Sequence, residues 1–216
     1  MSTQEKTLME LAYEERVDLA AFLTTLTPQE WAAQSLCDKW TVKDVVAHVV
    51  SYEELTPLGL AKRFAKGLVI HANEVGVQDF AGMSPSGLMD FLHRHLHPMG
   101  LTAAFGGMIG LVDGTVHHQD IRRALGYRRA VPTERLARIL PLVPGNPRLG
   151  AGRRIRGLRL VATDLAWQRG DGPEVTGTGE ALLMAMTGRP DALDELSGPG
   201  QPTLAARVRT SDSRPR

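Results

Sequence analysis

The feature that most restricts this chain is a series of helix starts, most of them followed by apolar residues at helical spacing. Thr27-Pro28-Gln29-Glu30 reads as an N-cap hydroxyl, a proline at N1 and a glutamate at N3. Thr41-Val42-Lys43-Asp44 repeats the pattern with Asp in place of Glu, and Ser84-Pro85 opens another helix that runs to about Leu96. Starts of this kind fix where helices begin, and the stripes behind them fix which face must be buried. A first helix over about residues 4–26 carries Leu8, Leu11, Ala12, Glu15, Leu19, Phe22, Leu23 and Leu26 on one side. The helix after Thr41 offers Val42, Val45, Val46, Val49 and Val50. Valine is poor helix material, so this helix depends on burial of that face. A last long helix, with Val112, Val116, Ala124 and Leu125 in register, stops at Gly126, a residue suited to the left-handed C′ position. Four long helices joined by loops predict a mainly α chain built on a helical bundle.

Between these helices, residues 53–80 are mixed, with Leu58, Leu60, Phe64, Leu68 and Ile70 at near-helical spacing. Beyond Gly126 a short helix runs through Leu136, Ile139 and Leu140 and is broken by Pro141, Pro144 and Pro147. Alternation from Leu158 to Trp167 predicts a strand, Gly170-Asp171-Gly172-Pro173 a turn, and Glu174–Gly177 a second strand. A helix from about Gly179 to Gly188 follows. The layout predicted is a bundle over 1–145, a small α/β unit over 146–200 and a disordered tail over 201–216.

Hydrophobic residues make up 43% of the 216 and charged residues 23%, with a net charge of +1. That balance points away from nucleic acid and from a membrane surface. The one basic cluster, Arg148, Arg153, Arg154, Arg156 and Arg159, lies in a Gly-rich segment and reads as a solvated linker. No apolar run is long enough to span a membrane, and the polar, acidic start is unlike a secretory signal. Cys37 is the sole cysteine, so no disulfide forms within the chain and a reducing compartment, the cytoplasm, is expected.

The chemistry concentrates in the last long helix. Asp113 and His117 are four residues apart and leave one helical face a turn apart. A carboxylate and an imidazole so placed can hold one divalent metal, with a third ligand from elsewhere, and His48 is the best candidate for it. The competing reading is three ordinary residues: a hydrogen-bonded core histidine and a chance Asp-x-x-x-His pair. His118 points about 100° from His117, toward the surface or the periphery of the site. His93, His95 and His97 read as a solvated or substrate-facing edge. Cys37 reads as a small buried residue in a tight loop beside Trp40.

Two stretches carry a resemblance. Ser35-Leu36-Cys37-Asp38-Lys39-Trp40-Thr41-Val42-Lys43-Asp44-Val45-Val46-Ala47-His48 and Asp113-Gly114-Thr115-Val116-His117-His118-Gln119-Asp120 resemble, in order, two signatures of the mycothiol-dependent maleylpyruvate isomerase family. The run Leu158–Trp167, then Gly172–Gly177 and Leu183–Pro190, is similar to that family's second domain. The resemblance implies a DinB-like up-down four-helix bundle followed by a small α/β C-terminal unit. It implies a divalent metal, usually zinc, on His48, Asp113 and His117, with Asp113 where the isomerase carries Glu. It also implies an arginine from the C-terminal unit for the substrate, and Arg189 is the nearest candidate by position.

In that family the open metal position takes mycothiol, a low-molecular-weight thiol of actinobacteria, whose sulfur adds to an electrophilic substrate. The expected partners are that thiol and the electrophile, as in an isomerase or an S-transferase. Two alternatives stand beside it: a metal hydrolase on the same bundle, and a non-catalytic bundle whose metal is closed off by a fourth ligand or absent. Monomer and homodimer are both compatible with the sequence.

Overall fold

The structure is a computed structural model and is described for residues 5–68 and 71–212. The chain divides into two compact units, up to Arg129 and from Ala130 onward.

In the first unit, α1 spans Leu8–Leu23, shorter than the predicted helix, whose residue 4 lies outside the described residues. Its start is set by a capping box at Thr7-Leu8-Met9-Glu10, not among the starts read from the sequence: Glu10 N–H donates to Thr7 Oγ1 at 3.2 Å and Thr7 N–H to Glu10 Oε2 at 2.7 Å. The same reciprocal box opens α2 (Pro28–Trp31) at Thr27 and α3 (Val42–Val50) at Thr41, where Asp44 takes the glutamate's part. Residues 53–80 hold two helices, α4 (Pro57–Lys66) and α5 (Ala72–Asp79). The stripe predicted there is not a buried one: Leu58 and Leu68 are exposed, and Ile70 lies outside the described residues. The buried side chain of α4 is Arg63, which donates to Ser51 O at 2.6 Å and to Asp79 Oδ2 at 3.0 Å, so a polar clamp joins α4 to α3 and α5. Then come α6 (Pro85–Arg94) and α7 (Met108–Ala124), the latter followed by Gly126 at φ +76°, in the left-handed region as expected.

Helices α1, α3, α6 and α7 form the bundle, α1 and α3 each packing against both α6 and α7. Its core unites Leu19, Phe22 and Leu23 with Val42, Val45, Val46, Val49 and Val50, Leu88, Phe91 and Leu92, and Ile121. Val42, Val45, Val46 and Val50 are completely buried. At roughly 1.5–3 kcal/mol for each fully buried aliphatic side chain, that burial outweighs the weak propensity of a valine-rich helix.

The second unit contains α8 (Thr133–Ile139), α9 (Ala151–Arg154), β1 (Arg159–Ala162), β2 (Gln168–Arg169), β3 (Glu174–Gly177), α10 (Gly179–Met186) and α11 (Gln201–Asp212). The sheet order is β2-β1-β3, with Leu160 opposite Arg169 in the antiparallel pair and opposite Val175 in the parallel one. Three expectations are corrected here. The boundary falls near Arg129 and not at 145, because Leu136 and Leu140 pack beside Gly179 at the start of α10. The strand expected to reach Trp167 turns back after Ala162, and Asp164 leaves the sheet to accept the Gly179 N–H at 2.7 Å. The segment expected to be a disordered tail is helical to Asp212, because Leu204 and Val208 are completely buried; residues 213–216 lie outside the described residues. Nor is the basic cluster a linker, since Arg154 is buried and donates to Leu149 O and Met186 O. Among the described residues no helix is long and apolar enough to cross a membrane.

Candidate metal centre

Two helices and one loop of the first unit build the site. In α3, the valine face fixes the rotation of the helix and leaves His48 at the edge of that face, in the last turn and 4% exposed. In α7, Asp113 and His117 stand one turn apart, as their spacing requires. The loop over 34–40 folds on itself: Ser35 N–H and Oγ–H both donate to Trp40 O, Trp40 N–H donates to Cys37 O, and Gln34 Nε2 donates to Cys37 O and Trp40 O. Leu36 N–H donates to Asp120 O at 3.2 Å and ties this loop to α7.

The three predicted residues converge. His48 Nε2 lies 3.5 Å from Asp113 Oδ2, and His117 Nε2 lies 3.5 Å from Asp113 Oδ1. One carboxylate thus sits between two imidazoles, and the three donor atoms lie within 4.8 Å of one another. Two imidazole nitrogens and a carboxylate oxygen are the donor set of a catalytic zinc site with room for a further ligand. His48 and His117 are buried, whereas about a third of the Asp113 side chain is exposed, so the trio faces solvent on the carboxylate side. Burial on its own would raise the Asp113 pKa; His117 and His48 overcome it and hold the carboxyl well below its usual range. Burial opposes protonation of His117, and Asp113 reverses this, raising its pKa well above the ordinary value. The carboxylate thus favours positive charge at this point, which the His117 proton supplies here and a divalent cation would supply in its place.

Around the trio, Trp40 packs on the His48 ring at 4.9 Å between centroids and reaches His117 at 6.3 Å. Behind His117, Nδ1 lies 2.9 Å from Asp120 Oδ2, and Cys37 S–H donates to the same oxygen at 3.2 Å. Neither Asp120 nor the half-buried position of Cys37 follows from helical spacing toward the trio. The available signal was an i,i+3 carboxylate behind His117.

The other histidines stand apart from this group. His118 is not at the surface: it is completely buried against α1, donating from Nδ1 to Glu15 Oε1 at 2.8 Å and accepting from Arg122 Nε at 2.8 Å. The reason is that α7 is enclosed on several sides, so a rotation of 100° leads from one interface to another. His95 is likewise buried, bonded to Phe91 O, while His93 and His97 are exposed and His97 stacks on Tyr13. Among the described residues none of these completes a fourth position. Arg189 belongs to the second unit, follows α10 and donates to Thr187 O at 2.9 Å.

Comparison with known proteins agrees with the resemblance in the sequence. Residues 12–96 match the family described as the mycothiol maleylpyruvate isomerase N-terminal domain. The fold is similar to the crystal structure of the mycothiol-dependent maleylpyruvate isomerase (TM-score 0.56, 13% identity) and to that of a histidine-to-alanine mutant of it (TM-score 0.58, 14% identity). Both similarities cover 90% of this chain and 92% of the other. No curated protein matches in sequence. Over residues 12–96 the chain is therefore similar to the mycothiol maleylpyruvate isomerase N-terminal domain, and over 90% of its length it has that isomerase's fold.

Proposed function

We propose that the protein is a metal-dependent enzyme that uses mycothiol as co-substrate against an electrophilic small molecule, as an isomerase or an S-transferase. The observation that carries this reading is the convergence of His48, Asp113 and His117 on one point, in a chain whose residues 12–96 match the mycothiol isomerase N-terminal domain. His48 Nε2, His117 Nε2 and an Asp113 oxygen would hold the ion, which we take to be zinc. When bound, it supplies a Lewis acid that makes a thiolate available at neutral pH.

The chain's own residues do the rest. Asp113 stands between the two imidazoles, 3.5 Å from each Nε2, and would bring its negative charge to the ion that they share. The Trp40 ring covers His48 and restricts water on that side. The carboxylate side, where Asp113 is partly exposed, is the side from which a thiol and its electrophile can arrive. The sulfur then adds to an electrophilic carbon. In an isomerase, rotation about the former double bond follows and the electron pair returns to expel the thiolate; in a transferase the thiol's proton ends on the neighbouring carbon and the C–S bond stays. We assign Arg189 as a candidate contact for a substrate carboxylate, and the cytoplasm as the compartment where such a thiol remains reduced.

The test is turnover of maleylpyruvate and related electrophiles by zinc-loaded protein with and without mycothiol. The proposal expects turnover that requires the thiol and falls to background in His48→Ala and His117→Ala. Thiol-independent cleavage of an activated ester would instead establish the metal hydrolase. Metal-loaded protein inactive in both assays would favour a binding or regulatory role.

A further inference from the structure

The two imidazoles of the trio are oriented by different means, and this difference assigns a role to residues behind the site. His48 Nδ1 is buried and makes no hydrogen bond among the described residues; its ring is held by packing against Trp40. His117 is held by a hydrogen bond, from Nδ1 to Asp120 Oδ2 at 2.9 Å. Asp120 is itself completely buried, and the loop over 34–40 grips it twice, by Leu36 N–H on its backbone oxygen and by Cys37 S–H on Oδ2 at 3.2 Å.

We infer that Asp120 is a positioning residue for His117, with Cys37 as the donor that steadies it. A carboxylate on Nδ1–H fixes the tautomer in which Nε2 carries the lone pair, turns that lone pair toward Asp113, and makes the ring a stronger donor. The arrangement is one-sided. His48 has no such partner, so ligand orientation by hydrogen bonding rests on Asp120. Cys37 acts in this scheme as a hydrogen-bond donor to Asp120, with its sulfur 3.7 Å from His117 Nδ1. The inference rests on the metal reading above and adds to it which residues set the site's affinity.

The experiment measures cobalt(II) affinity by chelator competition, and the visible spectrum of the cobalt-loaded protein, for the wild type and for Asp120→Asn, Asp120→Ala, Cys37→Ser and Cys37→Ala. Circular dichroism of the metal-free proteins checks the fold. Loss of the carboxylate in Asp120→Ala should weaken cobalt binding roughly 10–100-fold and shift the spectrum. Asp120→Asn keeps an acceptor without the charge and should fall between wild type and Asp120→Ala. Cys37→Ser keeps a donor and should resemble the wild type, whereas Cys37→Ala should weaken binding less than either Asp120 variant. Should Asp120→Ala not fold, the Asp120→Asn result decides. Wild-type affinity and spectrum in a folded Asp120 variant would overturn the inference and leave the trio standing. A wild type that binds no cobalt would overturn both.

Discussion

A single buried carboxylate, Glu15, shows how strongly this bundle depends on charge placed out of water. It accepts from His118 Nδ1 at 2.8 Å and from both terminal nitrogens of Arg129 at 2.8 and 2.7 Å, while completely buried. Burial alone would raise its pKa, but the His118 and Arg129 interactions lower it to about 2 from an ordinary 4.5. Burial lowers the His118 pKa to about 4, so that ring is neutral and donates to Glu15 while Arg122 donates to its other nitrogen. Both shifts are downward, so the unfolded chain binds more protons than the folded one below pH 6.5. The Glu15 contribution is complete above pH 4.5 and disappears as pH falls toward 2, and at about 1.4 kcal/mol per pH unit it amounts to about 3 kcal/mol. Melting the metal-free protein should therefore show Glu15→Gln well below wild type at pH 7, with the gap closing toward pH 2; a gap independent of pH would refute this role. In the sequence Glu15 sits within the apolar stripe of the first helix, and nothing local reveals that it pairs with groups 103 and 114 positions away. The Asp113–His117 pair was legible because the two share a helical face, a property of spacing alone, whereas His48 was joined to them through the family resemblance. Asp120 was not legible, because its role depends on which side of His117 faces the loop over 34–40.

Among the elements, α3 depends most on its packing, since it holds His48 and is rich in valine, which is poorly suited to a helix. Its integrity rests on the Thr41–Asp44 box and on the buried valines. Thr41→Ala should cost about 1 kcal/mol of stability, and Val45→Ala roughly 2 kcal/mol or more through the lost contacts and the cavity. Denaturant titration measures both, and values near zero would show that the rest of the bundle holds α3 in place. Helix starts were readable because a cap is a local device, recorded within four residues. The path of the chain after Ala162 and the helix Gln201–Asp212 were not, because each answers to a distant partner. Asp164 leaves the strand for the start of α10, and Leu204 and Val208 are buried within a unit whose core the C-terminal sequence does not itself display.

At the scale of the whole molecule, the candidate centre draws on the first unit alone, from a loop and two helices that lie before Arg129. The second unit has its own core and three-stranded sheet, and residues 130–145 belong to it although their helical character made them read as part of the bundle. The central claim is that His48, Asp113 and His117 hold a metal ion, and metal content tests it most directly. Mass spectrometry on tag-free wild type, His48→Ala and His117→Ala, each incubated with zinc and desalted, should find about one ion per chain in the wild type and little or none in either variant. A wild type without metal after that incubation, or variants that keep a full equivalent, would contradict the account.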